Sequence, residues 1–155
     1  MTQRYDPYKG EQNYVQGMVK TEEALAASPL DAKLRHLIKL RVSQINGCAY
    51  CVTMHLKEAR GDGETQQRLD HLAVWREVED FTPAERAALN WAELLTHLPQ
   101  TRELDSAFGA LEKHFNAEEI RAINFSIVMI NAWNRLAVGA HGRHLSADAP
   151  LALAS

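Results

Sequence analysis

Hydrophobic residues recur along the chain at spacings of three and four, which is the period of an amphipathic helix. The alternation at a spacing of two that marks a half-buried strand is not found over any convincing length. The pattern therefore predicts an all-α protein, a helical bundle of about six or seven helices. In chain order, the predicted helices cover about 11–27, 32–45, 48–60, 64–78, 83–98 and 103–115, with a long last helix from about 117.

Capping residues mark several of these boundaries. Asp31 is a suitable N-cap for the second helix, and Asn46-Gly47 supplies its stop. The clearest start is Thr82-Pro83-Ala84-Glu85, which combines a capping hydroxyl, a proline in the first turn and a glutamate at the third helical position. Asn116-Ala117-Glu118-Glu119 is a similar start signal before the last helix.

The last helix has the longest apolar pattern in the chain. Its β-branched residues would also suit a buried strand, but a pattern of about twenty residues is too long for a typical strand of five or six. We expect this helix to be the central pillar of the fold. After Gly139 the composition shifts to small residues, which predicts an extended or loose tail. With no linker or second domain evident, residues 1–155 are expected to form a single domain.

Composition narrows the possible functions. The chain has 155 residues, of which 46% are hydrophobic and 24% charged, as in one ordinary globular domain. A domain of this size buries roughly 70% of its extended-chain surface and needs no disulfide or metal to stay folded. The two cysteines, Cys48 and Cys51, are therefore free for chemistry.

Charge and hydropathy argue against two classes of partner. There are 17 Lys and Arg residues against 20 Asp and Glu, and the basic residues are scattered, so nucleic acid is not expected as a partner. No apolar run reaches the ~20 residues that cross a bilayer, so no membrane association is expected. The polar start of the chain lacks the apolar stretch of a secretory signal, which favours the reducing cytoplasm. In that compartment a cysteine pair is typical of catalysis or metal binding.

The candidate chemistry is concentrated in the segment 44–55, Gln-Ile-Asn-Gly-Cys-Ala-Tyr-Cys-Val-Thr-Met-His. At about 100° per residue, Cys48, Cys51 and His55 share one stripe of the third predicted helix. Cys51 and His55 are also i and i+4 neighbours, so the imidazole can exchange a proton with the thiol directly or through one water. Both cysteines lie in the first turn, where the helix N-terminus favours a thiolate.

A thiolate placed in this way reacts with a peroxide to form a sulfenic acid, which a second thiol within reach condenses to a disulfide. An i, i+3 pair at a helix start can meet disulfide geometry. The spacing therefore supplies a nucleophile, a base and a resolving thiol in one motif.

Other interpretations of the motif are weaker. A structural zinc site would need four ligands, yet no further cysteine exists and the other histidines are scattered. Covalent haem attachment needs a histidine directly after the second cysteine, where Val52 stands. A thioredoxin-like site would follow a strand. The His141-Gly142-Arg143-His144 pair has no carboxylate or cysteine close in sequence. No metal and no cofactor are expected, and a buried, inert cysteine pair stays open as the alternative.

The segment 37–55, Leu-Ile-Lys-Leu-Arg-Val-Ser-Gln-Ile-Asn-Gly-Cys-Ala-Tyr-Cys-Val-Thr-Met-His, resembles the alkylhydroperoxidase D-like branch of the carboxymuconolactone decarboxylase family. The resemblance extends more weakly through 85–93 and 130–135, and so covers roughly residues 15–138. It implies an all-helical fold that assembles as homo-oligomers, trimers or hexamers. It also implies a peroxidase and thiol–disulfide centre that a dithiol partner, such as a lipoylated protein, reduces.

Carried onto this chain, the resemblance makes Cys51 the cysteine that attacks a hydroperoxide, Cys48 the resolving cysteine and His55 the proton acceptor. One departure concerns the glutamate that the family has twelve positions before the first cysteine, because His36 stands there. Either His36 takes over the proton relay, or the relay is incomplete and the peroxidase weak. Glu93 is a substitute acid or base, since its segment resembles the wall of the family's active site.

The predicted function is thus reduction of hydroperoxides by a CxxC pair with a histidine base. Two alternatives stay open. The first is a lactone decarboxylase of the carboxymuconolactone type, which works without cysteine redox chemistry. The second is a non-enzymatic redox sensor, whose disulfide state alters a contact with a partner.

Overall fold

The computed structural model describes residues 4–6, 13–98 and 101–140, and this part of the chain is helical. The α-helices are α1 (Asn13–Ala26), α2 (Ala32–Ile45), α3 (Ala49–Gly61), α4 (Gln66–His71), α5 (Pro83–His97), α6 (Thr101–Leu111) and α7 (Ala117–Ala140). No strand occurs among the described residues, so the all-α prediction is confirmed. The predicted tail, with His141 and His144, lies outside the described residues.

Helix α2 lies at the centre of the bundle. It packs against α3, α5 and α7, and its buried residues face more than one side. Helix α7 is long and largely buried, as the sequence predicts, but it shares the role of central pillar with α2. Since α3 packs most extensively on α2, the side chains of these two helices are held in fixed register. None of the described helices is long and apolar enough to cross a membrane.

The predicted capping signals are present as hydrogen bonds. The carboxylate of Asp31 accepts from the backbone N–H of Leu34 at 2.9 Å and starts α2. At the start of α5, the Thr82 hydroxyl accepts from the Glu85 N–H at 3.2 Å, while the Glu85 carboxylate accepts from the Thr82 N–H at 2.7 Å. Helix α7 begins in the same reciprocal way at Asn116. These local signals locate three helix starts correctly.

The fourth predicted helix, over 64–78, is too long. Helix α4 ends at His71, and a single 3-10 turn, Leu72–Val74, follows it. The cause is Arg86 of α5, whose guanidinium donates to the carbonyls of Trp75 and Val78 at 2.8 and 2.9 Å. Those carbonyls need no helical N–H partner, so the chain turns away after the 3-10 segment.

The sixth helix begins and ends earlier than the predicted range of 103–115. It runs from Thr101 to Leu111. The Leu111 carbonyl accepts from the backbone N–H groups of both His114 and Phe115, which tightens the chain into a turn before α7.

The three tryptophans, Trp75, Trp91 and Trp133, are buried. Each indole N–H donates to a side-chain carboxylate or amide oxygen. This arrangement is usual for core tryptophans and leaves none of the three as an exposed aromatic surface.

Candidate active site

A tight turn between α2 and α3 positions the cysteines. Asn46 ends α2, and Gly47 follows with a φ of +65°, a left-handed conformation that glycine adopts without steric cost. The side-chain amide of Asn46 donates to the side-chain Oδ1 atoms of Asn131 and Asn134 on α7, at 3.0 and 2.9 Å. The turn is therefore fixed to the longest helix of the bundle, and it delivers Cys48 to the start of α3.

Cys48 and Cys51 are joined by a disulfide at the N-terminus of α3. Cys48 is the N-cap residue, and its sulfur accepts from the backbone N–H of Cys51 at 3.3 Å. The two residues are only 2% and 1% exposed. The N-terminal backbone N–H groups and the helix dipole favour negative charge here, whereas burial of both cysteines in the apolar core opposes it.

His55 lies one turn further along α3 and is 3% exposed. Its Nδ1 is 2.7 Å from the Glu58 carboxylate, whereas Nε2 is buried and makes no hydrogen bond to any described residue. Burial lowers the pKa of His55 more than Glu58 raises it, which keeps the ring neutral at pH 7. In this disulfide form neither ring nitrogen is hydrogen-bonded to a sulfur.

Glu58 lies between two histidines. Its Oε2 is 2.7 Å from Nδ1 of His55 and 3.5 Å from Nδ1 of His36. Burial by itself would raise the pKa of Glu58, but the two imidazoles outweigh burial and hold that pKa well below its ordinary value. The carboxylate is therefore ionised and orients the ring of His55.

The sequence did not single out Glu58. The only local signal for it is its position three residues after His55 on the same helix face. Its approach to His36 depends on the packing of α3 against α2.

His36 is drawn into the same cluster from α2. Its Nε2 is 2.8 Å from the carboxylate of Asp62, the residue that ends α3. His36 is thus a buried member of the site and has carboxylates on both sides. The structure therefore brings His36 of α2 together with His55 and Glu58, which lie one and two turns beyond Cys51 on α3.

Glu93 has other partners. It accepts from Arg41 at 2.6 Å and from the indole of Trp75 at 2.9 Å, and it also pairs with Arg76. Burial would raise the pKa of Glu93, but these donors lower it overall. The geometry gives Glu93 the role of an ion-pair anchor between α2, α5 and the chain after α4.

A buried lysine lies close to the site. Lys39 is one turn along α2 from His36, and its ammonium pairs with Glu22 of α1. The other oxygen of Glu22 accepts from the indole of Trp133 at 3.0 Å. The positive charge of Lys39 contributes to the lowered pKa of His55.

The fold and this site define an all-helical protein in which a CxxC disulfide starts a helix that also carries a buried histidine. The family model for the carboxymuconolactone decarboxylase family matches residues 12–94. The chain belongs to this family, and within it to the alkylhydroperoxidase D-like branch.

Similar proteins come from several bacteria. Uncharacterized protein YdfG of Bacillus subtilis is 36% identical over 94% of this chain and 99% of its own length. Uncharacterized protein YnjA of Escherichia coli is 32% identical over 67% of this chain and 57% of its own length.

A solved structure from Agrobacterium tumefaciens, of unknown function but described as a candidate antioxidant defence protein AhpD, is 41% identical with a TM-score of 0.88. It matches 94% of this chain and 99% of that one. The debrominase Bmp8, at 17% identity and a TM-score of 0.76 over 87% of this chain and 73% of its own, shares the fold.

Proposed function

We propose that this protein is a peroxidase and thiol–disulfide oxidoreductase that reduces hydroperoxides through Cys51 and Cys48. The observation that carries the proposal is the cysteine pair at the N-terminus of α3, one turn before a buried histidine oriented by a carboxylate. A nucleophilic cysteine, a histidine base and a second thiol on neighbouring turns of one helix are the groups that this reaction needs.

The hydroperoxide oxidises the cysteine pair in two chemical steps. His55 takes the proton of Cys51, and the thiolate attacks the terminal oxygen of the hydroperoxide. The O–O bond breaks, the alkoxide takes a proton from His55 and leaves as an alcohol, and Cys51 becomes a sulfenic acid. The Cys48 thiol then attacks that sulfur, so that an S–S bond forms, the S–O bond breaks and water leaves.

In this scheme Glu58 is a positioning residue, because it touches His55 and not the reacting atoms. Its ionised carboxylate stabilises the imidazolium that forms when His55 accepts the proton. The neutral resting state of His55, a result of its burial, suits it to accept that proton at pH 7.

Burial of the disulfide limits the kind of reductant that can reach it. Because both cysteines are nearly inaccessible, a folded reductant protein cannot place its own helix or loop against them without a rearrangement. A dithiol on a long flexible arm, such as the lipoyl group of a lipoylated protein, reaches such a site more readily. We propose a lipoyl-type dithiol as the electron donor, in the cytoplasm.

The outer face of α7 supports a proposal about assembly. Phe125 and Val128 lie on adjacent turns of α7 and are 55% and 58% exposed. We propose that this face contributes to a homo-oligomer, a trimer or hexamer. Light scattering that finds only a 17.4 kDa monomer at micromolar concentration would contradict this.

A turnover assay tests the proposed reaction. Peroxide consumption driven by dihydrolipoamide should be lost in Cys51→Ser and reduced at least about tenfold in His55→Gln, since general-base catalysis contributes about 10²–10⁴-fold. His114→Gln is a matched control, because His114 is exposed and belongs to another part of the fold. Unchanged turnover in Cys51→Ser contradicts the proposal, and one slow stoichiometric oxidation without turnover favours a redox sensor instead.

A further inference from the structure

Three metal-donor groups converge between α2 and α3. His36 comes from α2, and His55 and Glu58 come from adjacent turns of α3. One donor atom from each lies within 4.8 Å of the donor atoms of the other two. Metal sites in helical bundles are built in this way, from inward side chains on facing helices, with a histidine and a glutamate three residues apart on one of them.

The spacing of the donors fits a small transition-metal ion. An ion that is 2.0–2.2 Å from each ligand in a tetrahedral site separates its ligands by roughly 3.3–3.5 Å. The Glu58 oxygen is 3.5 Å from Nδ1 of His36 and 2.7 Å from Nδ1 of His55. An ion therefore requires little change at the first pair and an opening of less than about 1 Å at the second. The donor atoms of the two histidines lie within 4.8 Å of each other and would have to approach by up to about 1.5 Å.

A separate observation comes from the hydrogen bonding of His36. This residue is 9% exposed, and its buried Nδ1, which faces Glu58, makes no hydrogen bond within the described part of the chain. Its other nitrogen, Nε2, is 2.8 Å from the Asp62 carboxylate. A histidine that donates from Nε2 to a carboxylate has its lone pair on Nδ1, and metal-binding histidines are commonly oriented by such a carboxylate.

We propose that His36, His55 and Glu58 bind one divalent transition-metal ion of the zinc type. The set of two imidazoles and one carboxylate suits zinc and cobalt, and three protein ligands leave a fourth position open. Binding through Nδ1 of His55 moves the ring proton of that residue to Nε2, so the neutral ring remains neutral.

The proposed ion has a regulatory consequence, which rests on the proposed function. A bound ion occupies the nitrogen lone pair of His55 and holds its ring against Glu58, so the ring no longer accepts the proton of Cys51. Zinc would then inhibit peroxide reduction reversibly, and a chelator would restore it. Metal binding itself does not depend on the peroxidase proposal, and it is tested without an activity assay.

The test uses the full chain with its disulfide intact, so that thiols do not bind the ion. Titration with Zn²⁺ by calorimetry should give one ion per chain, and titration with Co²⁺ should give the visible absorption bands of a four- or five-coordinate site. Glu58→Gln and His36→Gln should each weaken affinity at least about tenfold. Asp62→Asn, which keeps all three ligands, should weaken it about 10–100-fold, as expected for loss of a carboxylate that orients a ligand.

The controls are histidines outside the cluster. His97→Ala changes an exposed histidine of α5 and should leave affinity within about twofold, as should the double change of His141 and His144 to alanine. Three results would overturn the proposal. The first is the absence of cobalt absorption bands. The second is an affinity for Zn²⁺ that is the same in wild type as in Glu58→Gln and in His36→Gln. The third is a loss of binding that occurs only when His141 and His144 are replaced.

Discussion

Replacement of Glu93 by glutamine separates an ion-pair anchor from a catalytic acid. The amide keeps the shape of the side chain and one oxygen that accepts from Trp75, but it removes the charge that pairs with Arg41 and Arg76. The Arg76 side chain is 45% exposed, so solvent screening leaves that pair with about 0–1 kcal/mol. The Arg41 side chain is 18% exposed, and its charge-assisted hydrogen bond contributes more, about 1.5–3 kcal/mol.

The expected loss of unfolding free energy for Glu93→Gln at pH 7 is therefore about 1.5–4 kcal/mol. For a chain of this length, each kcal/mol shifts the melting temperature by about 2–4 °C, so a fall of about 3–16 °C is expected. Urea denaturation measures the loss directly. Glu112→Gln is the matched control, since Glu112 is exposed on the surface and should stay within about 0.5 kcal/mol of wild type.

The difference in unfolding free energy between wild type and Glu93→Gln should depend on pH. The folded pKa of Glu93 lies below its ordinary value of 4.5, so its contribution to stability is present above that value and is lost as the pH falls towards the folded pKa. The stability gap between wild type and Glu93→Gln should therefore narrow below about pH 4.5. Equal urea midpoints at pH 7, combined with lost peroxide turnover, would refute the anchor role and make Glu93 catalytic.

Two further changes test the turn that carries the cysteines. Gly47→Ala places a side chain at positive φ in open space and should cost about 1 kcal/mol, whereas Gly17→Ala, within α1 and also in open space, should stabilise by about 0.5–1 kcal/mol. If urea denaturation shows equal effects of the two changes on stability, the positive φ of Gly47 does not penalise a side chain at that position. Asn46→Ala removes a donor from the buried oxygen of Asn134 and should cost about 1–3 kcal/mol by the same measurement. A cost below about 0.5 kcal/mol would mean that the turn is held in another way.

Local chemistry explains which parts of the fold could be predicted from the sequence. Capping at Asp31, Thr82 and Asn116 involves residues two or three apart, so the sequence contains the whole interaction. The end of α4 could not be predicted in this way, because the carbonyls beyond it bond to Arg86, which belongs to the next helix. Propensity and periodicity carry no information about such a distant donor.

The candidate site also has a part that the sequence predicts and a part that depends on the packing of helices. Helical geometry alone predicts a common stripe of Cys48, Cys51 and His55. In the structure Cys51 and His55 lie on consecutive turns of α3, whereas Cys48 is the extended N-cap residue before the helix. The approach of His36 to Glu58 depends on how α2 packs against α3, which the pattern of either helix does not contain. Their roles in catalysis stay predictions.

In the proposed reaction a hydroperoxide oxidises Cys51, and Cys48 then resolves the sulfenic acid. The most direct measurement is intact-mass spectrometry of the reduced single variants after one equivalent of hydroperoxide. Cys48→Ser should gain about 16 Da, the oxygen of a sulfenic acid trapped at Cys51, within the time that wild type forms its disulfide. Cys51→Ser should remain unmodified over that time. Rapid oxidation of Cys48 in the Cys51→Ser chain, or equal slow oxidation of both variants, would contradict the assignment of Cys51 as the peroxide-reactive cysteine.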